Sequence, residues 1–328
     1  MAKLDPDALN QVAGQAVGSP ARVEGVRRLS GGASRETWSF DAVGPGGELQ
    51  PLVLRRDPGA HSGQSDRSTE YTLLRAAAAA GVPVPGVRYL LTDADGLGHG
   101  FVMDRVEGET IARRILRDDE YAKARPLMAA QCGEIAARIH AVPRAALPDL
   151  PVQGAREQIA QYRDTLDLFG EPHPAFELGL QWLEARAPTA RADVVLVHGD
   201  FRNGNFIVGP EGIRAVLDWE LAHLGDPVED LGWLCVKSWR FGHTEQLVGG
   251  FGDVDELLDA YAAAGGREVS PDELRYWIAF GTLKWGVICI GQAFTHLNGL
   301  VRSVELATLG RRVAEMEWDL LDILDGGW

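Results

Sequence analysis

The sequence predicts an α+β fold, and three observations support that prediction. Short apolar runs with β-branched residues, at 52–54 and 101–103, lie in the first third of the chain. Apolar residues at helical spacing dominate the remainder. One hairpin pattern, between 194 and 218, interrupts those helices. The chain has 328 residues, of which 45 % are hydrophobic, and can therefore bury a substantial core.

The first notable element is a glycine-bearing turn between two predicted strands. Ser30, Gly31, Gly32 and Ala33 lie in this turn. Such turns let backbone N–H groups approach phosphates closely. Because the residues do not form G-x-G-x-x-G, an ordinary hairpin turn would explain them better in the absence of a further signal downstream.

Two strands and a helix follow the turn. Residues 52–56 predict a strand that contains Arg55, and residues 66–80 predict a helix that carries Glu70. Residues 101–104 predict another strand, which leads into a short connector. Met103 and Val106 lie at this strand and connector, where apolar side chains and free backbone groups suit a nucleotide base. A plain edge strand fits nearly as well.

The most informative stretch is the hairpin pattern after a predicted strand at 193–197. A polar loop at 198–204 follows, and then strands at 206–208 and 213–217 flank a turn at 209–212. Asn205 and Asp218 should therefore lie at the same end of the hairpin. Asp200 lies on the loop just before it. Three oxygen-bearing side chains are thus expected to converge.

These three side chains suit phosphoryl transfer, which depends on positioning and charge stabilisation. We expect Asp200 to orient an acceptor hydroxyl and accept its proton. Asn205 and Asp218 should hold Mg²⁺ against ATP, because Mg²⁺ prefers hard oxygen ligands. A lone His-Gly-Asp tripeptide would usually be only a loop; the spacing, the strands and the second aspartate together favour a catalytic role.

The segment from His198 to Asp230 resembles the aminoglycoside phosphotransferase family. The resemblance rests on His-Gly-Asp at 198–200, Asn205, Leu-Asp-Trp-Glu at 217–220 and Gly-Asp-Pro at 225–227. Arg-Arg-Asp-Pro at 55–58 and Trp-Leu-Cys-Val-Lys-Ser-Trp-Arg at 233–240 resemble the branch related to domains found beside acyl-CoA dehydrogenases. The similarity extends over nearly the whole chain, but only 197–232 is highly specific.

This resemblance implies a two-lobed, protein-kinase-like fold with ATP in the cleft. The expected N-terminal lobe, with a small antiparallel sheet, covers 1–104. A hinge covers 105–109, and a larger, mainly helical lobe covers 110–328 and includes the catalytic hairpin at 194–218. The expected product is a phosphorylated small-molecule alcohol, with antibiotics, sugars, amino alcohols and hydroxyacyl thioesters all open as acceptors.

The kinase pattern also assigns roles in nucleotide binding. Kinases place a lysine near the third strand, paired with a helix glutamate. Here Arg55 stands in its place and can grip phosphate through two N–H groups. Glu70 is the expected partner, although a surface charge is the alternative. The backbone of 30–33 should approach the phosphates, and that of 103–106 should bind adenine.

The remaining sequence predicts a helical region. Asp226 and Asp230 are expected to brace the catalytic loop by accepting backbone hydrogen bonds, and His140 is expected to be packed or hydrogen-bonded, not catalytic. Ser270, Pro271 and Glu273 predict a capped helix start. Helices are predicted at 126–141, across 155–187 as a pair, and at 257–264, 271–292 and 303–324.

Charge and composition restrict the partners. The formal net charge is −15, which disfavours nucleic acids and anionic membranes, since these bind clustered Lys and Arg. No apolar run of membrane-spanning length and no signal-peptide core is evident, so a cytoplasmic location is expected. The three scattered cysteines argue against a disulfide framework. The oligomeric state stays open.

Three other functions were weighed. A catalytically silent nucleotide-binding module would be marked by Arg55 and the irregular glycine turn, but retention of Asp200, Asn205 and Asp218 favours activity. A metal-dependent hydrolase is poorly supplied with ligands, because no H-E-x-x-H pair occurs. Dinucleotide binding is excluded by the absence of G-x-G-x-x-G after the first strand.

Overall fold

The structure is a computed structural model that describes residues 4–31, 36–57, 67–188 and 194–327. Gly32 and Ala33, two of the four residues predicted to approach phosphate, lie outside these ranges. Ser30 and Gly31 are the last two residues of the first strand, and their backbones pair with Thr37 and Glu36 of the second.

A five-stranded antiparallel sheet forms the N-terminal part. Its strands lie in the spatial order β1-β2-β3-β5-β4. Their bounds are β1 Arg22–Gly31, β2 Glu36–Val43, β3 Leu49–Asp57, β4 Val87–Leu90 and β5 His99–Asp104. Two helices accompany the sheet, α1 Pro6–Val17 and α2 Arg67–Ala79.

Strand alternation places the two faces of β3 against different partners. Leu52 and Leu54 are fully buried in a core cluster with residues of α1. Val53 belongs to the larger core, which also contains Leu73 of α2. Because successive side chains point to opposite faces of a strand, Arg55 lies on the same face as Val53. The sequence thereby directs the arginine toward α2.

Helices and short strands make up the rest of the described chain. The helices are α3 Ala112–Arg117, α4 Arg125–His140, α5 Ala155–Phe169, α6 Pro174–Arg186, α7 Val228–Cys235, α8 Val254–Ala263, α9 Pro271–Leu297, α10 Val304–Gly310 and α11 Val313–Leu324. The strands are β6 Val195–Val197, β7 Phe206–Gly209, β8 Gly212–Val216 and β9 His223–Gly225. β6 pairs with β9, and β7 pairs with β8.

The connector between β5 and α3 is tied to the catalytic hairpin. Glu109 and Val208 exchange two backbone hydrogen bonds, each 2.9 Å long. Gly108 has a φ of +153°, and a Cβ there would lie 2.6 Å from the Ile207 side chain. Glycine is therefore required where the connector crosses the hairpin. The predicted hinge at 105–109 falls in this connector, and the division into lobes stays a prediction.

The long helix α9 is the central helix of the C-terminal part. Ser270 Oγ accepts the Glu273 N–H at 3.2 Å, and the Glu273 carboxylate accepts the Ser270 N–H at 3.1 Å. The predicted capping box is confirmed. The helix extends to Leu297, five residues beyond the predicted end.

By length and composition α9 could also cross a membrane, with a mean hydropathy of 1.2 over its most apolar window. The sequence analysis missed this candidate, because charged residues such as Lys284 interrupt the apolar run. In the structure 61 % of that window is buried inside the protein, as in a core helix.

Several helix predictions need correction. The single helix predicted at 303–324 is two helices, α10 and α11, which are separated near Arg311. Helix α1 was not predicted, although Asp5 caps it by accepting the Asp7 N–H at 3.0 Å and Gly18 ends it at a φ of +73°. Helix α7 was not predicted either, because its eight residues are too short and too uniformly buried to show an amphipathic pattern.

Candidate active site

The catalytic loop and the hairpin bring the three predicted side chains together. The loop runs from the end of β6 to the start of β7, and Leu217 N–H donates to the Asn205 carbonyl at 2.8 Å. This bond extends the β7–β8 hairpin by one pair, so Asn205 and Asp218 lie at the same end, as predicted. The functional roles of the residues stay proposals, which are developed below.

The Asp200 carboxylate is held by three donors. Its Oδ1 accepts hydrogen bonds from Arg202 Nε and Trp233 Nε1, both at 2.8 Å. Its Oδ2 accepts one from Asn205 Nδ2 at 2.6 Å. The side chain is 14 % exposed. Asp200 is thus fixed in orientation while keeping access to solvent.

Asn205 is oriented by the same loop. Its Nδ2 donates both to the Asp200 carboxylate and to the Asp200 carbonyl, the second bond being 2.9 Å long. Because an amide nitrogen carries two N–H groups, both are used. The amide oxygen of Asn205 is left as the acceptor or ligand atom of this side chain.

Asp218 adopts a left-handed backbone conformation with a φ of +66°. Few residue types other than glycine tolerate this conformation, and aspartate is one of them. Its side chain is 42 % exposed, and Arg55 Nη2 lies 3.7 Å from its Oδ1. This buried Oδ1 accepts no hydrogen bond from the described residues. A carboxylate oxygen without a donor is suited to a cation.

The catalytic loop is braced from α7. Asp230 is fully buried, and its carboxylate accepts the N–H groups of His198 at 2.8 Å and Gly199 at 2.9 Å. His140 Nε2 lies 3.2 Å from the same carboxylate, and Tyr261 Oη lies 2.9 Å from its Nδ1. The predicted brace is confirmed for Asp230, and so is the hydrogen-bonded role of His140. It is wrong for Asp226, whose only backbone donor among the described residues is the Val228 N–H at the start of α7.

His198 serves the loop as a neutral ring. Its Nε2 donates to the Leu217 carbonyl at 3.1 Å, and its Nδ1 accepts the Asp200 N–H at 3.2 Å. Burial lowers the pKa of His198 below its usual value. A neutral imidazole with the proton on Nε2 satisfies both partners, so His198 links the catalytic loop to the end of β8.

Arg55 lies among carboxylates. Its Nη1 is 3.1 Å from Glu70, and its Nη2 is 3.2 Å from Glu220. The contact with Glu70 is the one predicted from the kinase pattern. Arg67 also bonds Glu70, at 2.6 Å, and lies 3.3 Å from Glu220. The sequence analysis missed Arg67 and the role of Glu220, although Glu220 belongs to the motif at 217–220.

A second ionic cluster lies beneath the catalytic loop. Lys284 Nζ donates to the Gly199 carbonyl at 2.9 Å and lies 3.4 Å from Glu229. His223 Nε2 lies 3.2 Å from Glu229 on the other side. Burial would raise the pKa of Glu229, but the charges of His223 and Lys284 outweigh it and lower that pKa. The cluster anchors α7 and α9 to the loop.

A cleft of about 610 Å³ connects the predicted nucleotide and metal residues. It is lined, among others, by Arg55, Met103, Val106, Asn205 and Asp218. The Val106 N–H has no partner among the residues that the structure describes.

Four tryptophans of the C-terminal part, at 233, 239, 277 and 285, divide into two groups. Trp277 is 1 % exposed and packs against Phe280, so it is a core residue. Trp233, Trp239 and Trp285 form a separate cluster, with ring centroids 5.3 and 4.8 Å apart. The Arg202 guanidinium lies 4.3 Å from the centre of the Trp239 ring. This cluster therefore touches the residues that hold Asp200.

A family model covers most of the chain. The model of the phosphotransferase enzyme family matches residues 25–277, which include most of the sheet, the connector and the loop between β6 and β7. The chain belongs to the phosphotransferase enzyme family. The resemblance to this family that the sequence indicated is confirmed.

Two curated relatives of this chain are longer proteins. Acyl-CoA dehydrogenase family member 10 of Mus musculus is 30 % identical over 82 % of the chain and 27 % of its own length. Acyl-CoA dehydrogenase family member 11 of Gallus gallus is 29 % identical over 92 % of the chain and 41 % of its own length. The chain thus spans less than half of either relative.

Solved structures confirm the fold of the chain. A candidate aminoglycoside phosphotransferase from Ralstonia eutropha superposes with a TM-score of 0.77 and 26 % identity, over 97 % of this chain and 98 % of that one. The aminoglycoside phosphotransferase APH(4)-Ia, in complex with AMP-PNP and hygromycin B, gives a TM-score of 0.62 and 18 % identity over 98 % of each chain. The predicted kinase-like α+β fold is confirmed.

Proposed function

We propose that this phosphotransferase transfers the γ-phosphate of ATP to a hydroxyl group of a small molecule. The observation that carries the proposal is the convergence of Asp200, Asn205 and Asp218 at one end of a hairpin, with Asn205 and Asp218 lining the cleft that Arg55 also lines. The fold neighbour APH(4)-Ia has AMP-PNP and an aminoglycoside bound, which is consistent with a nucleotide in this cleft.

The sheet and the connector supply the nucleotide contacts. The unpaired Val106 N–H is available to an adenine ring nitrogen, and Met103 offers an apolar surface beside it. Arg55 lies on the neighbouring strand β3, two residues after Val53, which pairs with Met103. There its guanidinium can bond phosphate oxygens in place of the usual lysine. The ion pair with Glu70 fixes the orientation of the Arg55 side chain at the cleft.

The donor set fits Mg²⁺. Asn205 offers its amide oxygen, and Asp218 offers a carboxylate oxygen that no described residue donates to. Among the described residues no three His, Cys, Asp or Glu side chains converge as a self-sufficient cluster, so phosphate oxygens would complete the ligands. When bound, Mg²⁺ would neutralise charge on the phosphates.

Asp200 is assigned to the acceptor. Its Oδ2 receives the proton of the acceptor hydroxyl as the hydroxyl oxygen attacks the γ-phosphorus. The bond between that phosphorus and the β–γ bridging oxygen breaks, and ADP leaves with the bond's electron pair. The donors on Asp200 keep the carboxylate oriented during this step.

The acceptor is proposed only as a class, the small-molecule alcohols. Lys237 and Arg240, two basic residues that follow α7, are both engaged within the protein. Lys237 pairs with Asp319 at 2.7 Å, and Arg240 bonds the Cys235 carbonyl at 2.8 Å. With a net charge of −15, nucleic acids and membranes are not proposed as partners, and the cytoplasm is the proposed location.

The test is an ATP-consumption screen across chemically diverse alcohols, with wild type and Asp200→Asn run in parallel. Asp200→Asn should bind Mg·ATP as wild type does, but turn over ~10²-fold more slowly or worse, because the base is lost. Asp259→Asn, an exposed change on α8, is the matched control and should behave as wild type.

Two results would decide against this proposal. Normal turnover by Asp200→Asn would remove Asp200 from its role. Tight Mg·ATP binding by wild type with no consumption over the whole panel would indicate a silent nucleotide-binding module, in which the carboxylates around Arg55 hold it in an inactive arrangement.

A further inference from the structure

Trp233 donates its indole N–H to the Asp200 carboxylate. The bond is 2.8 Å long and the residue is 2 % exposed, so the contact is shielded from water. We propose that Trp233 is a positioning residue for the phosphoryl transfer, which fixes Asp200 so that only its Oδ2 faces the acceptor. The inference rests on the proposed function of Asp200 as the base.

The lone pairs of the Asp200 carboxylate limit where an acceptor hydroxyl can bind. Each carboxylate oxygen offers about two acceptor positions. Trp233 and Arg202 fill both positions on Oδ1. Asn205 fills one on Oδ2, which leaves a single position free. The acceptor hydroxyl therefore meets Oδ2, and the geometry of attack follows from where Trp233 and Arg202 hold Oδ1.

Trp233 is itself held from the core. Lys284 Nζ lies 4.6 Å from the centre of its ring, and Lys284 also bonds the Gly199 carbonyl, one residue before Asp200. A cation over the face of an indole is attracted to it and polarises the ring, which strengthens N–H donation. Helices α7 and α9 thereby fix both the backbone and the side chain of the catalytic loop.

The other two tryptophans of the cluster show that packing alone does not explain Trp233. The ring nitrogens of Trp239 and Trp285 are buried, yet neither has a hydrogen-bond partner among the described residues. A large apolar ring without an N–H group would fill those two positions equally well. At Trp233 the N–H group bonds a charged carboxylate, so removing that N–H group would remove a hydrogen bond from Asp200.

The first experiment compares Trp233→Phe with Trp285→Phe. Both changes keep an aromatic ring, but only the first removes a hydrogen bond. Basal hydrolysis of Mg·ATP is measured, with water as the acceptor. We expect kcat of Trp233→Phe to fall about 10-fold or more, since bonds to charged groups are the strong ones. The KM for ATP should stay unchanged in both variants, and Trp285→Phe should keep its kcat.

Wild-type kcat in Trp233→Phe would overturn the proposal. A rise in the KM for ATP that accounts for the whole loss would overturn it as well, because it would place Trp233 in nucleotide binding or general stability. If wild type hydrolyses no ATP with water as the acceptor, kcat is measured instead with an alcohol that the screen identifies. No consumption with any acceptor of the panel would refute the proposed function, and the second experiment would still test the contact.

The second experiment observes the indole N–H directly in protein labelled with ¹⁵N-tryptophan. A hydrogen bond to a carboxylate moves an indole proton resonance downfield. We expect the most downfield indole resonance of wild type to move upfield in Asp200→Ala and to be absent from Trp233→Phe. If Trp233→Phe does not fold, the Asp200→Ala spectrum alone decides, and no displaced indole resonance in it would overturn the proposal.

Discussion

Replacing Asp230 by asparagine tests how firmly α7 holds the catalytic loop. The Asp230 carboxylate is fully buried and accepts two backbone N–H groups, those of His198 and Gly199. His140 Nε2 approaches the oxygen that His198 also uses. The side-chain oxygen of asparagine can take the place of only one carboxylate oxygen, the one that His198 and His140 share. The NH₂ group of the asparagine will then face the Gly199 N–H, which loses its acceptor.

The expected loss of stability follows from this count. An unpaired, buried Gly199 N–H costs about 1–3 kcal/mol, and the weakening of the two remaining bonds adds ~1 kcal/mol, for a sum of ~3 kcal/mol. A chain of 328 residues has an unfolding entropy of roughly 0.7 kcal/mol/K at the usual value per residue. The melting temperature should therefore fall by ~4 °C.

The effect should also depend on pH. Burial alone would raise the pKa of Asp230, but its hydrogen bond and charge interaction with His140 outweigh this and lower the pKa below its usual value of 3.8. A lowered folded pKa stabilises the protein above pH 3.8, and this contribution is lost as the pH falls through the folded pKa. The difference between wild type and Asp230→Asn should therefore shrink in acid.

Thermal unfolding followed by circular dichroism measures the change, and titration calorimetry with Mg·ATP shows whether the cleft survives. Asp226→Asn is the matched control. Asp226 accepts only the Val228 N–H from the backbone, at 2.9 Å, and is more exposed, so its change should cost less. A shift of less than ~1 °C for Asp230→Asn, equivalent to under ~0.7 kcal/mol, would refute the brace.

Three further predictions concern the ionic groups and thiols. Arg55→Met should raise the Kd of Mg·ATP ~10-fold or more, because a phosphate loses a charge-assisted bond. Arg55→Lys should raise the Kd less. Calorimetry that gives Arg55→Met the wild-type Kd would contradict this. His223→Gln should destabilise the fold by ~1–3 kcal/mol, because the Glu229 charge loses a buried partner. Although burial lowers the pKa of His223, Glu229 raises it above 6.5, so this contribution is full below pH 6.5 and is lost as pH rises through the folded pKa. Melting curves from pH 5 upward check it, and a gap that widens with pH would be the wrong sign. The thiols of Cys132, Cys235 and Cys289 are buried, and burial raises the pKa of each, to about 12 for Cys235 and Cys289. They should therefore react with a chromogenic disulfide only after the protein unfolds. Rapid reaction of the native protein would contradict this.

The centre of the site could be predicted because it is local. Asp200, Asn205 and Asp218 lie within nineteen residues, and the hairpin between them is specified by strand residues and a glycine turn. Their convergence needs no knowledge of the distant chain. The contact between Arg55 and Glu70 was predicted from the kinase pattern, and strand alternation directs the arginine toward α2.

The remainder depends on contacts that are distant in sequence. Trp233 follows Asp200 by 33 positions, and its place in an apolar run made it look like a core residue. Arg67 meets Glu220 across 153 positions. Neither contact could be predicted from a sequence periodicity or from the spacing of a motif. Each forms only because α2 and α7 pack against the hairpin. Tertiary packing also splits α10 from α11.

The two backbone bonds between Glu109 and Val208 have a mechanical consequence. They join the connector between β5 and α3 to the hairpin that carries Asn205 and Asp218. Any swing of the sheet relative to the hairpin would then pivot ahead of Gly108 and leave Asn205 and Asp218 in place. In the proposed function, nucleotide exchange would open one side of the cleft without moving the proposed base Asp200. Glu109→Pro, which deletes one of the two N–H donors, should weaken this connection.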